Sequence, residues 1–148
     1  LSKGIYSIVN KYNYLNKDYV PENLVNVDYK YTRNNTSVIS TAYENFVNLV
    51  EEAKKSDLII FATTCYRDYN FQKALYDKYV KADGELLADT YSARPGYSEH
   101  QTGLALDIFS LDSLVILSLK TFGFSKVPLF LGILVKISAS EAISSIDP

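Results

Sequence analysis

Apolar residues recur at three- and four-residue spacing along residues 41–55, which is the clearest helical pattern in the chain. The residues on this apolar face are Ala42, Tyr43, Phe46, Val50 and Ala53. Thr41 and Glu44 have the spacing of a capping box. Lys54 and Lys55 lie at the other end, where the helix dipole favours cations. The pattern predicts a helix over residues 41–55 with one buried face.

The next apolar stretch predicts a strand followed by a second helix. Residues 58–64, LIIFATT, form a short β-branched run bounded by charge, as is typical of a buried strand. Asp68 is a suitable N-cap for the sequence YNFQKALYDKYVKAD, and Gly84 is a natural end for that helix. Within it, one face carries Phe71, Leu75 and Tyr79.

A loop that contains the only histidine of the chain connects a short helical piece to another strand. The helical piece lies near residues 85–91, and the strand is LALDIF, residues 104–109, with Asp107 on one face. His100 belongs to the loop SARPGYSEHQTG. Gly103 would allow the backbone to reverse tightly between the histidine and the strand.

The two ends of the chain lack such periodicity. Residues 1–35 are rich in Asn, Tyr and Lys, and we interpret them as an extended arm over the core. Residues 111–148 are apolar and serine-rich and contain none of the 13 tyrosines. The composition therefore divides the chain into an arm (1–35), a core (36–110) and a divergent apolar tail (111–148).

Composition narrows the class of partner. A chain of 148 residues suits one domain, and its net charge of −2 with a pI near 5.4 argues against a nucleic-acid partner. The longest uncharged apolar run, residues 127–135, is shorter than the roughly 20 residues that span a bilayer, so we do not expect membrane contact. Because the chain starts at Leu1 and lacks methionine, we expect a mature form or a fragment.

Two candidate chemical groups each have a plain structural alternative. Cys65, the only cysteine, excludes an intrachain disulfide. It is either a nucleophile with a basic partner or, as we expect, a small half-buried residue at a strand end. His100 and Asp107 could be metal ligands on neighbouring segments, but a solvated loop histidine would have the same spacing.

The residues around this pair carry a family resemblance. SEHQTGLALD, residues 98–107, fits Ser-x-His-x-x-Gly-x-Ala-x-Asp at every fixed position. It resembles the zinc-site signature of the D-alanyl-D-alanine and L,D-carboxypeptidases of bacterial cell walls, the family that includes VanY-type enzymes. YRDYNFQKALYDKYV, residues 66–80, resembles that family's Tyr-Arg-Ser-x-x-x-Gln segment. The likeness covers about residues 8–110.

The resemblance implies both a fold and an activity. The fold is α+β, with helices packed on a small antiparallel sheet, a pocket at its open face and, in this chain, incomplete final strands. The activity is zinc-dependent removal of a C-terminal D-alanine from peptidoglycan stem peptides, either D,D- or L,D-linked. In that reaction a metal-bound water attacks the terminal peptide bond. The implied location is extracytoplasmic, in the cell envelope.

The resemblance also assigns roles by position. His100 and Asp107 match two zinc ligands. Arg67 matches the guanidinium that holds the substrate's terminal carboxylate, and Gln72 and Ser98 match substrate-contacting residues.

Each substrate residue has an alternative role without the family pattern. Arg67 could be a surface ion-pair partner of Asp68 or Asp77. Gln72 could be a solvated helix residue, and Ser98 an ordinary turn residue. Asp68 also replaces the family's serine and would compete for the guanidinium.

The chain departs from the family after Asp107. It contains no second histidine and no tryptophan, and it lacks the Glu-x-x-His segment that supplies the third zinc ligand and the general base. Glu141 is the only later glutamate and is followed by Ala, Ile and Ser. We therefore identify no catalytic residue and expect weak zinc binding. A stem-peptide-binding module without activity, or a truncated remnant, is the alternative, and a shifted reading frame after residue 113 would explain the tail.

Overall fold

A computed structural model of the chain describes residues 8–110 and the backbone of residues 134–137. The α+β class is confirmed, and the elements follow in chain order: β1 (Leu24–Asn26), β2 (Ser37–Ile39), α1 (Ser40–Lys54), β3 (Ile60–Ala62), α2 (Tyr69–Asp83), α3 (Glu85–Tyr91), a 3-10 helix (Glu99–Thr102), β4 (Ala105–Ser110) and β5 (Leu134–Ile137).

The strands form two small sheets. β1 and β2 pair antiparallel, with Leu24 opposite Ile39. The second sheet has the order β3-β4-β5, and β4 is antiparallel to β3 but parallel to β5. One strand pair thus differs from the antiparallel sheet that the sequence led us to expect. In the described part of the chain, β4 is the central strand of this sheet and carries Asp107.

Helix α1 supplies the core through the face that the sequence predicts. Ala42, Phe46 and Val50 are its buried residues, and they join a cluster that includes Val38 and Leu106. Apolar burial of this kind supplies the main favourable free energy of folding. This cluster fixes α1 against the strand that carries Asp107.

The start of α1 differs from the prediction. The helix begins at Ser40, its N-cap residue is Ile39, and no side chain caps it. Thr41 therefore lies inside the first turn, and the predicted capping box of Thr41 and Glu44 is wrong. A capping residue needs extended backbone just before the helix, and here that position belongs to Ile39, which ends β2.

Helix α2 begins and ends where the sequence predicts. The Asp68 carboxylate accepts a hydrogen bond from the backbone N–H of Phe71 at 2.7 Å, and Gly84 ends the helix with φ +81°. The buried residues of the helix are Gln72 and Tyr76, whereas Phe71 is 57% exposed. Helix α3 is confirmed, and β3 is shorter than the predicted strand.

The described part of the arm is tied to the loop that contains the histidine. Leu15 donates its N–H to the carbonyl of Gly96 at 2.8 Å. The Gln101 side-chain amide donates to the carbonyls of Asn16 and Tyr19 at 2.9 and 3.3 Å. These contacts join the arm to the motif region, and the division at residue 35 stays an interpretation.

Most of the tail, including residues 127–133 of the predicted apolar run and Glu141, lies outside the described residues. Its described part is β5, which pairs with β4. Among the described helices, none combines the length and the apolar character needed to cross a bilayer.

Candidate functional site

His100 is buried and held in one orientation. It lies in the 3-10 helix, is 4% exposed, and its Nδ1 is 2.6 Å from the carbonyl oxygen of Cys65. Because a carbonyl can only accept, Nδ1 carries the hydrogen, and the lone pair of the neutral ring is on Nε2. Nε2 lies 3.5 Å from Asp107 Oδ1. The solvated loop histidine is therefore excluded, and a ring nitrogen with its lone pair faces the aspartate.

The backbone of Asp107 is held through both its N–H and its carbonyl by the segment that follows β3. Its N–H donates to the Thr64 carbonyl at 2.7 Å, and its carbonyl accepts from the Thr63 N–H at 2.8 Å. Gly103, with φ +72°, makes the turn that brings β4 back beside His100. The sequence prediction of a tight reversal at this glycine is confirmed.

The pair has the separation that zinc requires of two ligands. Nitrogen and oxygen ligands of a tetrahedral zinc ion have bond lengths of about 2.0–2.1 Å, which places them about 3.3–3.4 Å apart. The observed 3.5 Å between His100 Nε2 and Asp107 Oδ1 fits this value. Among the described residues, no group of three or more His, Cys, Asp or Glu side chains could hold a metal ion. The described site thus offers two candidate ligands, His100 and Asp107.

Arg67 lies beside the pair. Its Nη2 is 4.0 Å from Asp107 Oδ2, and its side chain is 16% exposed. Burial lowers the pKa of the guanidinium, and the negative charge of Asp107 offsets part of this lowering. Its Nε is buried and has no acceptor in the described part of the chain. The predicted alternative partners are excluded: Asp68 caps α2, and Asp77 pairs with Lys73.

Gln72 and Ser98 are both 2% exposed, so neither is a solvated surface residue. The Gln72 amide nitrogen donates to the Ala93 carbonyl at 2.7 Å, while its Oε1 has no donor among the described residues. Ser98 Oγ accepts from the His100 N–H at 3.4 Å, and its hydroxyl hydrogen has no acceptor among the described residues. Both side chains thus retain hydrogen-bonding capacity.

All five predicted residues line one cavity of about 600 Å³. A volume of this size is typical of small-molecule sites. The exposed face of α2 forms part of the wall, and this explains why the predicted apolar face is not core. The apolar wall residues are Phe71, Leu75, Tyr79, Tyr91, Ala93, Ala105, Ile108 and Phe109. The roles of the five residues stay predictions, but the structure brings them together.

The burial of Cys65 differs from the prediction. It is fully buried rather than half-buried, and it lies beyond the end of β3. Burial raises the pKa of its thiol to about 11, which does not suit a nucleophile. Its importance for the site lies in the carbonyl that holds His100. Sequence patterns do not reveal a backbone acceptor of this kind.

Comparison with known proteins identifies the family. The VanY family, described as D-alanyl-D-alanine carboxypeptidases, matches residues 35–127, which is more than half of the chain. The chain belongs to the VanY family. The match begins later and ends later than the sequence likeness placed at residues 8–110.

Similarity to individual proteins also supports the family assignment. The putative carboxypeptidase YodJ of Bacillus subtilis is 35% identical over 112 residues, which are 73% of this chain and 41% of YodJ. The LdcB LD-carboxypeptidase, solved to explain peptidoglycan recognition, has 35% identity and a TM-score of 0.67, covering 73% of this chain and 52% of LdcB.

A third relative contains the metal. A mutant of the D,D-pentapeptidase VanY from the VanB-type resistance cassette, solved with Zn(II), is 27% identical with a TM-score of 0.59, covering 72% of this chain and 62% of that one. Zinc is therefore bound by at least one VanY family member. The present chain spans about half of the length of the relatives that it matches.

Proposed function

We propose that this chain is a zinc-dependent carboxypeptidase-like protein of the cell envelope. Its ligand is the C-terminal D-alanine end of a peptidoglycan stem peptide, D,D- or L,D-linked. The supporting observation is that the Arg67 guanidinium lies beside the His100–Asp107 pair in one cavity. A carboxypeptidase needs a cation for the terminal carboxylate close to the group that activates the terminal peptide bond. These three side chains supply that arrangement.

Zinc would be held by His100 Nε2 and Asp107 Oδ1. When bound, it supplies a Lewis acid and lowers the pKa of a coordinated water. Arg67 receives the ligand carboxylate, because a planar guanidinium can donate two parallel hydrogen bonds to it. Its Nε already lacks an acceptor among the described residues.

Gln72 and Ser98 orient the ligand from the cavity wall. The Ala93 carbonyl fixes the Gln72 amide, so that Oε1 is the atom available to accept from a peptide N–H of the ligand. The Ser98 hydroxyl, whose oxygen already accepts from the His100 backbone, donates its hydrogen to a ligand oxygen. The buried state of both side chains favours a single orientation of the ligand.

Binding without hydrolysis is the alternative function within the same site. The 148 residues contain one histidine, and no Glu-x-x-His segment follows Asp107. With two protein ligands we expect weak zinc affinity and little or no release of D-alanine. Stoichiometric zinc that survives dialysis, together with release of D-alanine from a pentapeptide, would contradict this expectation and support the enzyme.

The test of binding is calorimetric titration with a stem peptide that ends in D-Ala-D-Ala, in the presence of zinc. We expect Arg67→Lys to weaken binding about tenfold or more, because a charge-assisted bidentate contact is lost. Arg33→Lys is the matched control, since Arg33 is exposed and stacks on Phe61 away from the cavity lining.

The same peptide with a C-terminal amide separates carboxylate recognition from general affinity. We expect the amide to bind weakly to the wild-type protein and equally weakly to Arg67→Lys. Equal affinity of the wild-type protein for acid and amide would refute the assigned role of Arg67.

A further inference from the structure

One backbone segment, residues 64–67, contacts both predicted zinc ligands. The Thr64 carbonyl accepts from the Asp107 N–H at 2.7 Å, and the Cys65 carbonyl accepts from His100 Nδ1 at 2.6 Å. The Arg67 N–H donates to the His100 carbonyl at 3.2 Å. The position of this segment therefore sets the positions of the ligand pair and of the arginine.

The segment is anchored on its opposite side by Thr36 and by Ser37, the first residue of β2. The Cys65 N–H donates to Thr36 Oγ1 at 3.0 Å, and the Tyr66 N–H donates to the Ser37 carbonyl at 2.7 Å. Of these two anchors, Thr36 contributes a side chain and Ser37 contributes backbone. The Thr36 anchor can therefore be removed by substitution.

Because peptide groups are planar, each of two peptides in this segment rigidly connects a hydrogen bond on one side to a hydrogen bond on the other. In a trans peptide the C=O of one residue and the N–H of the next are rigidly coplanar and point in opposite directions. The peptide between Thr64 and Cys65 links Thr36 Oγ1 to the Asp107 backbone. The following peptide links the Ser37 carbonyl to the His100 ring. The two peptides meet at the Cys65 Cα, so the Thr36 and Ser37 contacts hold adjacent peptide planes of one segment.

We propose that Thr36 is a positioning residue for the His100–Asp107 pair. Its hydroxyl fixes the peptide that precedes Cys65, and through the Thr64 carbonyl it holds the Asp107 backbone in register with His100. Thr36 lies outside both sequence motifs and does not line the cavity. The inference rests on the proposed function only where it names zinc as the ion that the pair holds.

The first experiment uses the metal-free protein, so that it does not depend on zinc binding. Amide hydrogen exchange is measured for Cys65 and Asp107 in the wild-type protein and in Thr36→Val. We expect faster exchange at both amides in the variant, although the Asp107 amide does not contact Thr36. Thr36→Ser retains the acceptor and should restore both rates.

The second experiment measures zinc affinity by competition with a chelating dye and records the absorption spectrum of the Co²⁺ form. We expect Thr36→Val to weaken zinc binding about tenfold, the lower end of the effect of groups that orient metal ligands, and to change the Co²⁺ spectrum. Thr36→Ser should restore both. Ser37→Ala is the matched control, because it removes a neighbouring hydroxyl that bonds to Asn26 and leaves the anchor intact.

The results separate this inference from the proposed function. Wild-type exchange at Asp107 in Thr36→Val, or failure of Thr36→Ser to restore it, overturns the positioning role. If the wild-type protein binds no zinc, the proposed function fails, and the exchange rates alone decide the role of Thr36. If Thr36→Val does not fold, Thr36→Ala removes the same acceptor with less bulk and is judged by the same criteria.

Discussion

Gly103 lies at the turn between the two predicted metal ligands, and its replacement by alanine should be costly. The residue has φ +72°, in the left-handed region that side chains other than glycine rarely adopt. A Cβ at this position would lie 2.9 Å from Ile39 Cγ2, 3.1 Å from Pro21 Cγ and 3.2 Å from Leu24 Cδ2. All three contacts are shorter than an ordinary carbon–carbon contact of about 3.5–4.0 Å.

Two contributions make up the expected loss of stability in Gly103→Ala. The left-handed backbone costs an L-residue about 1–2 kcal/mol. Forcing a methyl group into packed surroundings costs about 1–3 kcal/mol. The free energy of unfolding should therefore fall by about 2–5 kcal/mol, a large share of the roughly 5–15 kcal/mol of an ordinary domain.

The assay is urea unfolding followed by far-ultraviolet circular dichroism, because the chain has no tryptophan. Ile39→Ala removes the nearest clashing carbon, so Gly103→Ala should cost about 1 kcal/mol less in that background.

Two results would refute this reasoning about Gly103. One is a loss of stability in Gly103→Ala of no more than the roughly 1–2 kcal/mol expected from the left-handed backbone, because the packing contribution would then be missing. The other is an equal cost of Gly103→Ala with and without Ile39, because the overlap would then lie elsewhere.

Three further predictions concern caps and titratable groups. Asp68→Ala should lower the free energy of unfolding by about 1 kcal/mol in urea melts, whereas Thr41→Ala, which removes no cap, should change it by less than about 0.5 kcal/mol. A pKa near 11 rather than 9 for Cys65 should slow its alkylation at pH 8 about a hundredfold relative to the unfolded chain; equal rates would contradict its burial. Arg94 lowers the pKa of Asp89 to about 2, so stability should fall more steeply from about pH 4 to pH 2 in the wild-type protein than in Asp89→Asn.

Periodicity predicts which residues of a helix share a face, but not what that face contacts. In α1 the face of Ala42, Phe46 and Val50 is buried, as expected. In α2 the corresponding apolar face, with Phe71 as its most exposed member, lines a cavity, and a glutamine is buried instead. A binding site needs apolar surface that water can reach. An apolar helix face has the same sequence spacing whether it lines such a site or packs in the core.

The side chains of the site could be predicted from the sequence, whereas the groups that hold them could not. His100 and Asp107 are brought together by a turn whose glycine is visible in the motif. The supports are a hydroxyl at Thr36 and carbonyls at Thr64 and Cys65, far from His100 in the chain. Every residue has a backbone carbonyl, so residue type does not indicate which carbonyl accepts a given hydrogen bond.

The amide of Gln101 also bears on how the chain folds as it is made. It bonds to carbonyls 85 and 82 residues earlier. The Asn16 and Tyr19 carbonyls are synthesised long before Gln101 and cannot receive this amide until Gln101 follows them out of the exit tunnel. Contacts over such separations close slowly, so the histidine loop is expected to be completed among the last steps of folding.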